Sequence, residues 1–275
     1  MRLLRQPTFW PLAAALLTAF AVAAAVVVTR PPIERPAFLG GATPTPTAAA
    51  RAPGDVCTRL LRPPEPGEPR AFHREYTQIT EAEGIAVIGP AEVDPRAFDV
   101  AAETIRRVFA NNDLETELAE AGAYVIVVPR GKTVLDLPEF RCLRDDDAAF
   151  LEDVCGVADS AGDYPVATVE ERDLLGERSG PCRGLNILYH ELGHLVDSWA
   201  LAPADHLQVR YLYADAMRAG LYRGEYAATN SDEYFAEGTQ AFFASADPEG
   251  LRDRAWLRVY DPALYEFLSR IYGER

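Results

Sequence analysis

The stretch His190-Glu191-Leu192-Gly193-His194 constrains the fold more than any other in this chain. It holds two of the four histidines, four residues apart, with a glutamate directly after the first. On an α-helix that spacing puts both imidazoles on one face, where each can reach a single metal ion at about 2 Å. Glu191 projects about 100 degrees further round the helix, beside such an ion rather than onto it, where its carboxylate can take a proton from water. The bland alternative is an amphipathic helix whose histidines satisfy backbone carbonyls. Such a helix does not need Gly193 in its interior, a placement that costs about 1 kcal/mol relative to alanine. Close approach of another backbone explains that glycine, and zinc is the ion this motif takes.

Two histidines do not complete a catalytic zinc site, which needs one more protein ligand and an open position for water. In the H-E-x-x-H-x-x-G-x-x-H arrangement the third ligand is a histidine, and residues 197 and 200 would be Gly and His. Here they are Asp197 and Ala200, so that arrangement is excluded. The run from Tyr226 to Phe243 offers another. Asn230, Ser231 and Asp232 are helix-cap residues, and Glu233 and Glu237 then fall one turn apart on one face of the helix that follows. One of the pair can bind the metal while the other accepts a hydrogen bond from a ligating histidine and fixes its tautomer. The surrounding Tyr234, Phe235, Ala236, Ala241, Phe242 and Phe243 argue that both carboxylates are buried, which is costly without a partner.

His190-Glu-Leu-Gly-His194-Leu-Val-Asp197, followed by Tyr226 and then Glu233-Tyr-Phe-Ala-Glu237, resembles the gluzincin peptidases of the anthrax lethal factor type, which include the Pro-Pro endopeptidases. The resemblance covers roughly residues 160 to 245. It implies a zincin-like α+β domain, with a small mixed sheet, an active-site helix and a following glutamate-bearing helix. It also implies Zn(2+) held by His190, His194 and Glu233, with Glu191 as general base. Tyr226 is then the hydrogen-bond donor to the developing oxyanion, and Glu237 lies behind the ligands. The implied activity is endopeptidase cleavage of a peptide or protein substrate; the alternative is a catalytically silent zinc-binding module of the cell surface. In peptidases of this shape a strand on the cleft rim pairs with the extended substrate, and Pro165–Val169 precedes the motif helix as such a strand should; an ordinary sheet strand is the equal alternative.

The rest of the chain bears on where this domain works. Residues 1–8 carry Arg2 and Arg5, and the twenty residues Phe9 to Val28 contain no charge, enough for a helix to span the roughly 30 Å core of a bilayer. The flanking arginines favour a single-pass anchor with the short N-terminus inside and the C-terminal domain outside the cell membrane; a cleaved signal peptide and a secreted domain are the alternative. Residues 29–69 are rich in Pro, Thr and Ala and read as an extended stalk, which leaves 70–275 for the metallopeptidase-like domain. With 42 acidic against 27 basic residues the formal charge is -15, which argues against nucleic acid as a partner. No partner protein is evident from the sequence. All four cysteines lie beyond the apolar span, so two disulfides are expected. Three connectivities are open; the short Cys142–Cys155 loop is the easiest and would leave Cys57 to pair with Cys182.

Within the domain, Ile85–Ile88, Ala123–Val128 and Pro165–Val169 read as strands. The segment 95–110 reads as an amphipathic helix, and Asn111-Asn112-Asp113 ends it and caps a second short helix. A helix, a buried strand, another strand and then the motif helix is an α+β order. Asp145-Asp146-Asp147 reads as a solvated acidic turn, and His73 and His206 as surface or capping residues.

Overall fold

The computed structural model describes residues 71–141, 151, 154–161 and 164–273. The expected membrane span, the stalk, Cys57, Cys142 and the acidic turn lie outside them. Among the described residues no helix is long and apolar enough to cross a membrane.

Five strands form one mixed sheet: β1 (Gln78–Ala82), β2 (Ile85–Gly89), β3 (Tyr124–Val128), β4 (Gly156–Ala161) and β5 (Tyr164–Glu170). Their order is β1-β2-β3-β5-β4. The central pairs β2/β3 and β3/β5 are parallel, while β1 and β4 run antiparallel at the two edges. β1 and β2 form a hairpin through Glu83 and Gly84, both at positive φ (51° and 73°), the backbone that a two-residue turn between twisted strands requires. The central strands carry continuous apolar runs because both faces of the sheet are covered.

Alternation along the strands divides the core in two. Val87, Val125, Val127, Ala167 and Val169 face the helices. Ile88, Tyr124, Ile126, Val128 and Val166 face the opposite way, beneath Leu135, Leu137, Phe140 and Leu151 of the connection between β3 and β4. Buried under that second face, Glu139 accepts hydrogen bonds from the hydroxyls of Tyr76 and Tyr124, and burial raises its carboxyl above the usual range. The helices are α1 (Pro95–Phe109), α2 (Leu114–Glu120), α3 (Glu171–Leu174), α4 (Leu188–Leu195), α5 (Pro203–Ala219), α6 (Ser231–Phe243), α7 (Arg254–Tyr260) and α8 (Pro262–Tyr272). The expected helix over 95–110 is α1, with Pro95 in its first turn and the Asp94 side chain accepting from the Arg96 N–H at 3.0 Å.

Two expectations are corrected. Pro165–Val169 is the ordinary sheet strand of the two readings and not the rim strand, because it sits inside β5, paired to β3 on one side and β4 on the other. Its backbone groups are used, and the sheet edge on that side belongs to β4. The polar stretch Gly-Val-Ala-Asp-Ser-Ala conceals β4 in the sequence, since only its pairing to β5 makes it a strand. Second, Cys155 pairs with Cys182 rather than with Cys142. Cys155 lies directly before β4, and Cys182 in the loop that leads to α4. That loop is held by the buried carboxylate of Asp173, which accepts from the Cys182 N–H at 3.0 Å and the Gly184 N–H at 2.7 Å.

Candidate metal centre

α4 carries the H-E-x-x-H stretch, and all eight of its residues are buried. Its start is fixed from outside. Asn186 accepts from the Leu188 N–H at 3.1 Å and donates to the Thr104 hydroxyl of α1 at 2.9 Å. The Gln240 side chain of α6 accepts from the His190 N–H at 3.1 Å and donates to the carbonyls of Asn186 and Ser245. A single wider helical turn, Val196–Ala200, ends the element.

α6 crosses α4 at Gly193. A methyl group there would lie 3.0 Å from the Ala236 Cα and 3.1 Å from the Thr239 Cβ, so the expected close backbone approach is present. α6 is started by Asn230, whose side chain accepts from the N–H groups of Asp232 and Glu233 at 2.9 and 2.7 Å. The cap and the crossing bring Glu233, in the first turn of α6, under the two histidines.

The donor atoms converge. His190 Nε2 and His194 Nε2 are 3.0 Å apart, and Glu233 Oε2 lies 3.1 Å from the first and 3.4 Å from the second. Four ligands at about 2.05 Å from a tetrahedral zinc stand about 3.3 Å from one another, so this triangle has the dimensions of three corners of that tetrahedron. Glu233 Oε2 is fully buried and has no hydrogen bond of proper geometry. A buried carboxylate oxygen left in that state is costly, and a cation at the centre of the triangle satisfies it together with both imidazole lone pairs. The residues present therefore fit a zinc ion.

The surroundings reinforce this. Glu237 Oε1 stands 3.3 Å from His190 Nδ1, on the side of the ring away from the triangle. Burial acts to lower His190, yet Glu233, Glu237 and Glu191 outweigh it and push the imidazole up to about 10. Burial acts to raise Glu233, and the two facing imidazoles hold it down at about 2. Both shifts say that this spot favours positive charge. Glu191 is 4% exposed, and burial pushes its carboxyl up to about 7 against the pull of His190 and His194. It packs against the start of β4: a methyl group on Gly156 would fall 2.9 Å from Glu191 Oε1 and 2.4 Å from the Thr168 carbonyl oxygen. Tyr226 belongs to a short 3-10 turn ahead of α6 and is 56% exposed. Its hydroxyl donates to Glu233 Oε1 at 3.0 Å, and its ring lies 6.2 Å from that of His190. Burial first, then the Glu233 charge, raise this phenol well above its ordinary value.

All six residues singled out in the sequence thus meet at one site. Gly156, Asn186 and Gln240 are missing from that set. Asn186 has a sequence signal, a cap-type residue just ahead of an apolar helix, and Gln240 has one too, a polar residue two turns beyond Glu233. Gly156 has none, because only the fold sets it beside Glu191. His73 accepts from the Glu75 N–H at 3.3 Å, in keeping with a capping residue. His206 is more than that: its Nδ1 lies 3.0 Å from the buried Asp197 carboxylate and 3.2 Å from the Asp197 carbonyl, tying α5 to the end of the motif helix.

A mixed α+β domain in which a buried H-E-x-x-H helix meets a glutamate from the next crossing helix is the frame of zinc metallopeptidase-like proteins. Residues 100–271 match the family described as "Anthrax toxin lethal factor, N- and C-terminal domain", and the chain belongs to that family. This is a family of zinc-dependent metalloproteases, which sets the chain among the hydrolases at that coarse level. No individual curated protein matches the chain.

Proposed function

We propose that this chain is a zinc-dependent endopeptidase whose domain acts outside the cytosol, tethered through the apolar span Phe9–Val28. The observation that carries the catalytic reading is the triangle of His190 Nε2, His194 Nε2 and Glu233 Oε2, with the Glu191 carboxyl on the adjoining side of the same helix. The Cys155–Cys182 disulfide supports an oxidising compartment, and the arginines before the span support the orientation.

Zinc held by His190, His194 and Glu233 supplies polarisation of the scissile carbonyl and acidification of water. Glu191 takes the proton of the attacking water and returns it to the leaving amine nitrogen. Burial raises the Glu191 carboxyl, which suits a group that must first take a proton and then return it. Tyr226 turns its hydroxyl from Glu233 Oε1 toward the carbonyl oxygen as negative charge builds there, and its exposure leaves room for the movement. Glu237 accepts a hydrogen bond from the His190 Nδ1–H, which fixes the tautomer and keeps the Nε2 lone pair free. The substrate backbone adds to the outer edge of β4, the terminal strand on the side of Glu191.

The test is Glu191→Ala in the full chain. Zinc content by elemental analysis stays at the parent level, while cleavage of a mixed peptide library falls by about 10²–10⁴-fold. Equal cleavage by mutant and parent overturns the catalytic reading, and a parent that holds zinc yet cuts nothing makes the domain a binding module.

A further inference from the structure

Beyond the end of α6 opposite to Glu233, the surface opens into a cavity of about 780 Å3. Three arginines line it: Arg107 from α1 and Arg254 and Arg258 from α7. The one carboxylate in the lining, Asp253, accepts from the Trp256 N–H at 2.9 Å and so serves α7 as its cap. Arg254 and Arg258 stand in a chain with 42 acidic and 27 basic residues, so partners for these two are not scarce. Arg252, two residues from Arg254, has one in Glu225 at 2.7 Å. Among the described residues, Arg254 and Arg258 form no ion pair.

Their placement also works against folding. Arg254 and Arg258 are one turn apart on one helix face, where like charges repel. Arg254 is the first residue of α7, the end at which the helix dipole disfavours a cation. It is nonetheless held in place, its guanidinium 3.9 Å above the Phe242 ring, while Arg258 lies 5.7 Å from the ring of Tyr265. Burial acts upward on the Tyr265 phenol, yet hydrogen bonds with Arg254 and Ser269, and then the charges of Arg254 and Arg258, bring it below its ordinary value. Arg254 also donates to the Tyr265 hydroxyl, whereas Arg258 is exposed beside that ring, and a carboxylate fits the planar guanidinium fork with two hydrogen bonds.

We propose that this cavity is a binding site for an acidic peptide segment, with carboxylates on Arg254 and Arg258 and neighbouring apolar side chains against Phe242 and Tyr265. The cavity is open to the side, and Val259 at its rim is 83% exposed, so the occupant is a stretch of a longer chain rather than an engulfed small molecule. The site asks nothing of Glu191 or of zinc and stands apart from the peptidase reading.

The experiment measures fluorescence anisotropy of a labelled Glu-Phe-Glu-Leu-Glu-Phe peptide against the purified Glu191→Ala chain, which removes cleavage as a complication. The same peptide with Gln for Glu is the neutral control. Binding to the acidic peptide, weakened about tenfold or more both by Arg254→Gln and by charge reversal in the exposed Arg258→Glu, supports the site. Circular dichroism confirms that each variant is folded, and Arg258→Glu carries the test if Arg254→Gln is not. Equal affinity for the neutral peptide, or no loss in Arg258→Glu, overturns the proposal. Capture by phosphatidylserine vesicles without peptide binding also overturns it, in favour of a lipid surface, as does displacement by millimolar inorganic phosphate with no peptide binding.

Discussion

Replacing Gly193 by alanine tests the idea that one close helix crossing sets the metal centre. The added methyl would stand 3.0 Å from the Ala236 Cα and 3.1 Å from the Thr239 Cβ. Carbon atoms are most comfortable at about 3.5–4.0 Å, so each contact is short by about 0.4 Å or more. The Ala236 atom is main chain inside α6 and cannot rotate away. Alanine gains about 1 kcal/mol in helix propensity, and overpacking a tight interior costs about 1–3 kcal/mol. The balance is a loss of about 1 kcal/mol, read by urea denaturation of the metal-free protein. The effect on metal binding is larger in proportion. His190 and His194 ride on α4 and Glu233 on α6, so parting the helices by about 0.5 Å exceeds the ±0.2 Å within which metal–ligand distances hold. Zinc affinity, measured by competition with a chelating dye, falls about tenfold or more. A Gly193→Ala protein as stable as the parent with unchanged zinc affinity refutes the reasoning, because the crossing would then have slack enough to take a methyl group.

Three further outcomes are expected. Glu233→Gln lowers zinc affinity more than Glu237→Gln, for which a loss of about 10–100-fold suits a residue that orients His190; the reverse order moves the third ligand to Glu237. Joint replacement of Cys155 and Cys182 by serine opens a loop with a sequence separation of 27 and lowers stability by about 3.5 kcal/mol on the loop-entropy scale, with chemical denaturation as the readout. The Arg96 side chain and N–H hold the Asp94 carboxyl at about 2, so its contribution to folding is complete above the ordinary aspartate value near 3.9 and is lost as pH falls through about 2. Asp94→Asn keeps a cap but flattens stability against pH across that window, and an unchanged acid limb counts against the Asp94–Arg96 contact.

Much of the site is legible because its spacing is helical. His190 and His194 share a face by their separation of four, as do Glu233 and Glu237, and Asn230 announces the start of the second helix. α1, α2, β2, β3 and the core of β5 are legible for the same kind of reason, as periodic or continuous apolar runs between cap and turn residues. The edge strands are not. Gln78–Ala82 and Gly156–Ala161 are short, polar on one side and defined by their neighbours, and a rim strand expected at Pro165–Val169 proves to be the strand beside the rim.

By itself the sequence determined the chemistry on offer: two imidazoles at one helical face, a carboxyl beside them, two more carboxyls one turn apart, and the family to which that pattern belongs. Local spacing suffices for this, because an α-helix turns by a fixed angle per residue. The tertiary structure alone decided what those groups meet. It put Glu233 Oε2 within 3.4 Å of both imidazoles through a close helix crossing at Gly193. It paired Cys155 with Cys182, set Gly156 against Glu191, and gathered Arg107, Arg254 and Arg258 round one cavity. These are contacts between residues far apart in the chain, and their geometry follows from how helices and sheet pack rather than from any local pattern.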